Sequence, residues 1–482
     1  IKNYHKKYTT YNNITTIYML YDYSCSINKE TDTYVYLSCS DFNKNIKLLE
    51  KRFSFKFPKG LIDYFSGEEN KMNTFIMNKK TFIIAKISEK KCSKRDLDIM
   101  LKKICKTIQS EKKIVNVNFI LTPIENFIRY QVLRVLNHNY RFFKYKKTSF
   151  TTKKITFCAT KKFQKIVINS IKEGRIINDM RDMINEPANK MNSKYFLECV
   201  KTFKEKGLKL DIMTKSALKK EKMNLILAVN RGSENEPYML TLKWLPLKKK
   251  KPIVLLGKGV TFDSGGMNLK FGDFTNMKTD MTGAAVVFAL LRLCALNNIK
   301  KNIICCMPLV ENMLNEKAHR PGDVITSHSG INVEISNTDA EGRLILADAL
   351  SYSKKFNPRC LIDVATLTGQ AGSVFNNLAI VVLGNKKSLI EKYEKIGENM
   401  NEKIWSLPLW SDFRKNLDSN IADIQNSSKS SSRTINAAMF LKEFVPKKID
   451  WLHIDIAGVS YTKQTGATGN SILSLYELLT TI

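Results

Sequence analysis

Asn337-Thr338-Asp339-Ala340-Glu341-Gly342-Arg343-Leu344 sets two carboxylates two residues apart, with an arginine two further on. A helix-like apolar run follows directly (Leu344, Ile345, Leu346, Ala347, Ala349, Leu350). A second acidic and basic constellation lies upstream at Lys258, Asp263, Lys270 and Asp280. Carboxylates crowded into a low-dielectric cleft cannot all stay ionised without compensating positive charge. Asp263, Asp280, Asp339 and Glu341 bring four negative charges, which two divalent cations would balance. Oxygen ligands with an occasional nitrogen suit Zn, Mn, Mg or Co. Two such ions close together can bridge a water, lower its pKa and polarise a carbonyl.

Rival chemistries are weaker. Gly257-Lys258-Gly259-Val260-Thr261-Phe262-Asp263-Ser264-Gly265-Gly266 is glycine-rich, with residues suited to tight turns and close ligand approach. Neither G-x-x-x-x-G-K-[ST] nor G-x-G-x-x-G occurs in it, which counts against a phosphate cradle. H-E-x-x-H is missing, and His5, His138, His319, His328 and His453 have no ligand spacing, which disfavours a mononuclear histidine-zinc site. On residues alone, a two-metal phosphoesterase stays open. Each carboxylate taken singly reads as a cap or a solvated charge; their joint placement beside strand ends carries the metal reading.

The elements that must position these groups follow from periodicity. Strands are expected at Tyr34–Leu37, Thr81–Ala85 and Ile114–Leu121, and amphipathic helices at Asp96–Ile108 and Phe127–Leu136. These form a small N-terminal α/β domain (1–160) without a catalytic constellation. Ile166–Ile184 reads as a long helix that Pro187 prevents from continuing, within a linking segment 161–190. A larger α/β domain (191–482) follows. Its buried strands are expected at Pro252–Leu256, Ile303–Leu309, Leu361–Ala365, Ala379–Leu383 and Leu452–Ile456. Its helices are expected at Gly283–Leu296, Glu341–Lys355, Ser388–Met400 and Ala437–Val445. Strands alternating with helices imply two domains of the α/β class, each a mixed sheet flanked by helices, with the catalytic one C-terminal. Ligands in such sheets gather beyond the strands' carboxyl ends, where the acidic motifs fall. Lys248–Lys251 and Ser427–Ser432 are low-complexity stretches that read as surface loops.

The 482 residues are 43% hydrophobic, ample for a large core, and hold no run of about 18 consecutive apolar residues that would span a membrane. Ten cysteines with no C-x-x-C read as reduced and intracellular, hence cytoplasmic. The chain opens on Ile1, which reads as a processed or incomplete start; a removed transit peptide would instead place it in an organellar matrix. Net charge is +33, and residues 1–150 carry 29 basic against 13 acidic side chains, a difference of +16. Such charge can attract nucleic acid. Lysine, however, outnumbers arginine 64 to 14. Arginine is the side chain favoured for bidentate phosphate and base recognition, so compositional bias is the stronger reading.

Asn337–Leu344 also resembles the signature octapeptide of the cytosol (leucyl) aminopeptidase family, and Gly257–Gly266 resembles that family's first metal loop. Arg181–Ala188, Val310–Met313, Arg320–Val324, Asp363–Gly369, Phe440–Val445 and His453–Gly458 are similar to further family segments, so the likeness covers about residues 165 to 482. It implies an aminopeptidase acting on leucine-like N-termini of peptides, assembled as a homohexamer. By position, Lys258, Asp263, Asp280 and Glu341 match the ligands of a tighter metal, and Asp263, Asp339 and Glu341 those of an exchangeable one. The resemblance implies Zn or Mn for the pair, with Mg or Co as alternatives. Lys258 would then ligate as a neutral amine. Lys270 matches the lysine that polarises the scissile carbonyl, and Arg343 the arginine that holds a bicarbonate serving as general base. Met277, Asn337, Thr366, Leu367, Gly369 and Ala457 match the pocket for the first side chain. Arg231, Ser460, Asn470 and the glycine-free Ser430–Ala438 depart from the family pattern. A nucleic-acid-binding protein built on the same fold is the alternative expectation.

Overall fold

The computed structural model describes residues 20–24, 33–38, 42–53, 56–66, 70–77, 79–88, 93–111, 116–121, 125–147, 153–203 and 205–482. The first residues of the strand expected over Ile114–Leu121 lie outside these. Two compact units divide the chain, Ile1–Arg175 and Ile176–Ile482.

The first unit contains strands β1 (Leu20–Ser24), β2 (Thr33–Ser38), β3 (Lys71–Met77), β4 (Lys80–Lys86), β5 (Asn116–Ile120) and β6 (Lys154–Cys158). They form one sheet in the order β1-β6-β5-β2-β4-β3, parallel except for the antiparallel β3–β4 pair. Its main helices are α1 (Phe42–Phe53), α2 (Lys94–Ser110) and α3 (Glu125–Asn139). Alternation along β2 explains why both faces are covered. Val35 and Leu37 join a core with Leu97, Leu101 and Ile104 of α2, while Tyr34 and Tyr36 join another with Phe42 and Ile46 of α1.

Helix α4 (Gln164–Asn185) contains the boundary between the units. In the second unit the main strands are β7 (Lys209–Met213), β8 (Tyr238–Trp244), β9 (Ile253–Gly257), β10 (Gly259–Asp263), β11 (Ile303–Asn312), β12 (Val324–Thr326), β13 (Asn332–Glu334), β14 (Cys360–Ala365), β15 (Ile380–Gly384), β16 (Ile404–Ser406), β17 (Ile424–Gln425) and β18 (Asp450–Asp455). A nine-stranded mixed sheet runs β16-β15-β18-β14-β9-β11-β8-β7, with β10 paired to β11, and β12-β13-β17 form a small second sheet. The central strands β18, β14, β9 and β11 are mutually parallel. Their near-continuous apolar runs fit this position, because helices cover both faces.

The helices concerned are α5 (Ser193–Phe203), α6 (Thr282–Leu296), α7 (Glu341–Ser353), α8 (Lys387–Met400), α9 (Arg433–Lys442) and α10 (Ile472–Thr481). Val254, Leu256 and Leu361 pack with Leu344, Leu346 and Leu350 of α7. On the opposite face, the Cys305 thiol donates to the Val287 carbonyl of α6 at 3.3 Å. Thr275–Leu296 is long enough for a membrane span and contains an 18-residue window with the mean hydropathy of one (1.6), but 94% of that window is buried within the fold, as a core helix should be.

Three sequence readings change. The Gly257–Gly266 stretch contains a strand, β10, where a glycine loop was expected. Gly257 and Gly259 serve close packing: an added Cβ would lie 2.6 Å from the Ala284 Cα and 2.4 Å from the Pro308 carbonyl, respectively. True left-handed backbone occurs only at the end of the stretch, at Gly265 (φ +89) and Gly266 (φ +64). Finally, Ser427–Ser432 is a partly buried stretch bonded to Ser336 and Gln370, and only Lys248–Lys251 is wholly exposed.

Candidate metal centre

Every acidic residue singled out by the sequence arrives at the carboxyl ends of the central strands. Lys258 follows β9, Asp263 ends β10, Thr366 follows β14, Asp280 precedes α6, and Glu341 opens α7. Crowding of Gly283 against the carbonyl of Val364 holds the start of α6 to the end of β14, and so fixes Asp280 beside Lys258.

Lys258 is buried, with Nζ 2.7 Å from Asp280 Oδ2 and 2.9 Å from Glu341 Oε1, and it donates to the Thr366 carbonyl at 2.9 Å. Thr366 Oγ1 donates to Asp280 Oδ1 at 2.8 Å. Lys270 lies on the more open side, with Nζ 2.7 Å from Asp263 Oδ2 and also paired with Asp339. Asp263 Oδ1 accepts from Gly265 N at 2.9 Å and from Asn312 Nδ2 at 2.8 Å. One ligand atom from each of Asp263, Asp339 and Glu341 can be chosen so that all three lie within 4.8 Å of one another.

The electrostatics are under-compensated. Burial, reinforced by Glu341, raises the Asp263 carboxyl above its ordinary range, and burial carries Asp280 well above it despite Lys258. Burial and then the charges of Asp263 and Glu341 lift Asp339 to about 7. For Glu341 burial is outweighed by Lys258 and Lys270, which bring it down to about 2. Both lysines resist burial and are held above their ordinary values by the surrounding carboxylates. Two ammonium groups against four carboxylates leave room for further positive charge. Glu341 Oε2 is buried and has no hydrogen-bond partner. An unpartnered carboxylate oxygen among three convergent ligand groups fits a divalent cation.

Arg343, in the first turn of α7, donates through Nη1 to the Asn426 carbonyl at 3.0 Å, while its buried Nε lacks a partner. Burial brings its guanidinium down to about 10. Among the expected pocket residues, Asn337 Oδ1 accepts from Asp339 N at 2.8 Å, and Leu367 N and Ala457 N both donate to Asp455 Oδ1 at 3.1 Å. Met277 is half-buried and accepts from Asp280 N at 3.3 Å through its carbonyl, and the space that a side chain at Gly369 would enter is open.

Sequence reasoning gave no role to Asn312, Asn426 or Asp455, all buried. Asp455 also takes Thr368 N at 3.0 Å and Thr368 Oγ1 at 2.8 Å, and so organises the Thr366–Gly369 turn. Asn312 and Asp455 stand inside family-like segments, which was the available signal; Asn426 had none.

Residues 178–476 match the family model described as cytosol aminopeptidase family, catalytic domain, and the chain belongs to that family. It is 40% identical over 308 residues to the probable cytosol aminopeptidase of Geobacter sp. (strain M21), a stretch covering 62% of each chain. With that of Chlorobaculum tepidum it shares 41% identity over 315 residues, 64% of this chain and 62% of the relative. The matched part thus spans about 62% of the length of these curated relatives. Among solved structures, the bottromycin maturation enzyme BotP is similar with a TM-score of 0.79 at 25% identity, covering 93% of this chain and 99% of that one. Its complex with Mn gives a TM-score of 0.80.

Proposed function

We propose that this protein is a metal-dependent aminopeptidase that releases leucine-like N-terminal residues from peptides through a two-metal centre. The observation that carries the reading is the convergence of Asp263, Asp339 and Glu341 within 4.8 Å, together with a buried Glu341 Oε2 that has no partner and Lys270 on the open side. Lys258, after losing its ammonium proton to become a neutral amine, would hold one cation together with Asp263, Asp280 and Glu341, and Asp263, Asp339 and Glu341 would hold the other. Bound there, the cations supply Lewis acidity toward a carbonyl and toward water.

The chain's own groups do the rest. Lys270, partly exposed and charged, is placed to donate to the carbonyl oxygen as negative charge develops on it. Arg343, with Nε unpartnered, would hold an anion such as bicarbonate as proton acceptor. The turn that Asp455 organises offers Thr366, Leu367 and Gly369 to the first side chain, alongside Ala457 and Met277. A mostly apolar lining of this kind favours leucine over a residue one methylene shorter by about 1–3 kcal/mol.

The test compares leucine p-nitroanilide, its N-acetylated form and p-nitrophenyl phosphate, each with Mn, with Zn and after chelation. Metal-dependent cleavage of the free-amine substrate alone is expected. Equal cleavage of the acetylated substrate, or turnover of the phosphate alone, would overturn the reading.

A further inference from the structure

The loop that presents Asp339 and leads into Glu341 is braced from outside by three amide side chains: Asn268 Oδ1 accepts from Thr338 N at 2.8 Å, Asn312 Nδ2 donates to the Thr338 carbonyl at 3.1 Å, and Asn426 alone reaches both Ser336–Asn337 and Ala340. The ladder between β13 and β17 ends with Asn426 N donating to the Glu334 carbonyl at 2.9 Å. From there the Asn426 side chain takes over, fully buried. Its Oδ1 accepts from Ser336 N at 2.9 Å, Asn337 N at 3.2 Å and Ser336 Oγ at 3.3 Å. Its Nδ2 donates to the Asn337 carbonyl at 2.8 Å and to the Ala340 carbonyl at 3.3 Å. Its own carbonyl accepts from Arg343 Nη1 at 3.0 Å. Donors and acceptors of one amide therefore bracket Asp339 on both sides, and the same residue's backbone steadies Arg343.

We propose that Asn426 is a positioning residue of this centre, tying the two ends of the Ser336–Ala340 backbone together and so setting Asp339, Glu341 and Arg343 in their working geometry. The proposal rests on reading Asp339 and Glu341 as metal-holding carboxylates. A carboxylate that ligates through a loop needs that loop fixed to a few tenths of an ångström, and no side chain within Ser336–Ala340 can brace both ends at once. Asparagine suits the task because one planar amide offers two donors and an acceptor with two lone pairs. Aspartate is isosteric but cannot donate to the carbonyls of Asn337 and Ala340. Partners behind metal ligands influence affinity or activity by about 10–100-fold.

An internal comparison separates positioning from mere stabilisation. Asn302 is a second buried amide clamp of the same design, donating to the carbonyls of Leu247 at 2.7 Å and Lys250 at 2.8 Å and accepting from Leu247 N at 2.9 Å. It holds a loop that carries no residue of the centre. The experiment measures Mn(II) binding to the full chain by electron paramagnetic resonance, melting temperature, and kcat and KM on leucine p-nitroanilide. Variants are Asn426→Ala, Asn426→Asp and Asn302→Ala. Both Asn426 variants are expected to bind Mn(II) about 10–100-fold more weakly and to lose kcat at saturating metal more than they raise KM. Asn302→Ala is expected to lower the melting temperature while leaving Mn(II) affinity at the wild-type value. Wild-type Mn(II) affinity in folded Asn426→Asp would overturn the proposal, as would equal weakening in Asn302→Ala. Wild-type protein that binds Mn(II) without cleaving the anilide would sink the peptidase reading alone, since the affinity comparison still decides the role of Asn426. Wild-type protein that binds no Mn(II) would sink both.

Discussion

Lys258 and Lys270 are both ammonium groups among carboxylates, yet their burial separates what each contributes. Lys258 is 3% exposed between Asp280 and Glu341, whereas Lys270 is 20% exposed and pairs with an Asp339 that is 32% exposed. Removing one partner of a buried ion pair leaves uncompensated charge, a loss of about 3–5 kcal/mol. Lys258→Met is therefore expected to destabilise the metal-free protein by about that amount in urea unfolding. Lys270→Met should cost far less in stability while abolishing turnover. Comparable stability losses in the two variants would contradict this assignment. The chemistry of these residues was legible in the sequence because carboxylates and lysines announce themselves by type and spacing. Asn426 was not: a lone asparagine beside a serine-rich stretch carries no mark of the backbone atoms it will meet.

The elements that carry the centre depend on two features of close packing. An added Cβ at Gly283 would stand 2.1 Å from the Val364 carbonyl and 2.8 Å from Lys258 N, both backbone atoms that cannot swing aside. Gly283→Ala is expected to cost about 1–3 kcal/mol or more and to lower activity by displacing Asp280 and Lys258 together; unchanged melting and turnover would refute the packing argument. The second feature is Asp348, buried in α7, whose carboxylate accepts from Leu225 N at 2.9 Å, Ile226 N at 3.1 Å and His328 N at 2.8 Å. Burial outweighs those donors and raises its carboxyl to about 7. The folded chain thus holds a proton on this group more tightly than the unfolded one. The stabilisation is fully present below about pH 4 and is lost as pH rises through about 7. Asp348→Asn turns an amide toward backbone N–H donors, so it should be less stable than wild type by about 1–3 kcal/mol under acidic conditions. The gap should narrow between about pH 4 and about pH 7, and a constant gap would argue against the raised carboxyl.

Long apolar runs such as Ile303–Leu309 made the central strands readable, since burial on both faces removes the polar alternation that would obscure them. Strand β10 stayed hidden because Gly257 and Gly259, needed for contact with α6 and β11, look like turn residues in a string. Helices α5 and α10 were also not anticipated, and the antiparallel β7–β8 edge, whose strand β7 is mostly exposed, lacks the apolar run that marks the centre.

At the scale of the whole molecule, the net charge of +33 says little about the centre, whose immediate surroundings are acidic. The carboxylates converge in the second unit, the one that contains the family match over residues 178–476. Folding brings Asp263, Asp280 and the Asp339–Glu341 pair together from three separate places in the sequence, and the unfolded chain has no such site. A cation that binds only the folded form must stabilise it by RT ln(1 + [L]/Kd), about 2.7 kcal/mol when free metal is 100-fold above Kd. For a unit of this size that corresponds to a rise in melting temperature on the order of 5 °C. Calorimetry of the full chain across Mn concentrations should show the rise growing logarithmically above Kd, reversed by a chelator and absent in Asp263→Asn. That variant keeps the side-chain volume and removes one charge shared by both proposed metal positions. A melting temperature independent of Mn would mean that the four carboxylates hold no Mn, and equal gains in wild type and Asp263→Asn would mean that Mn binds elsewhere in the fold.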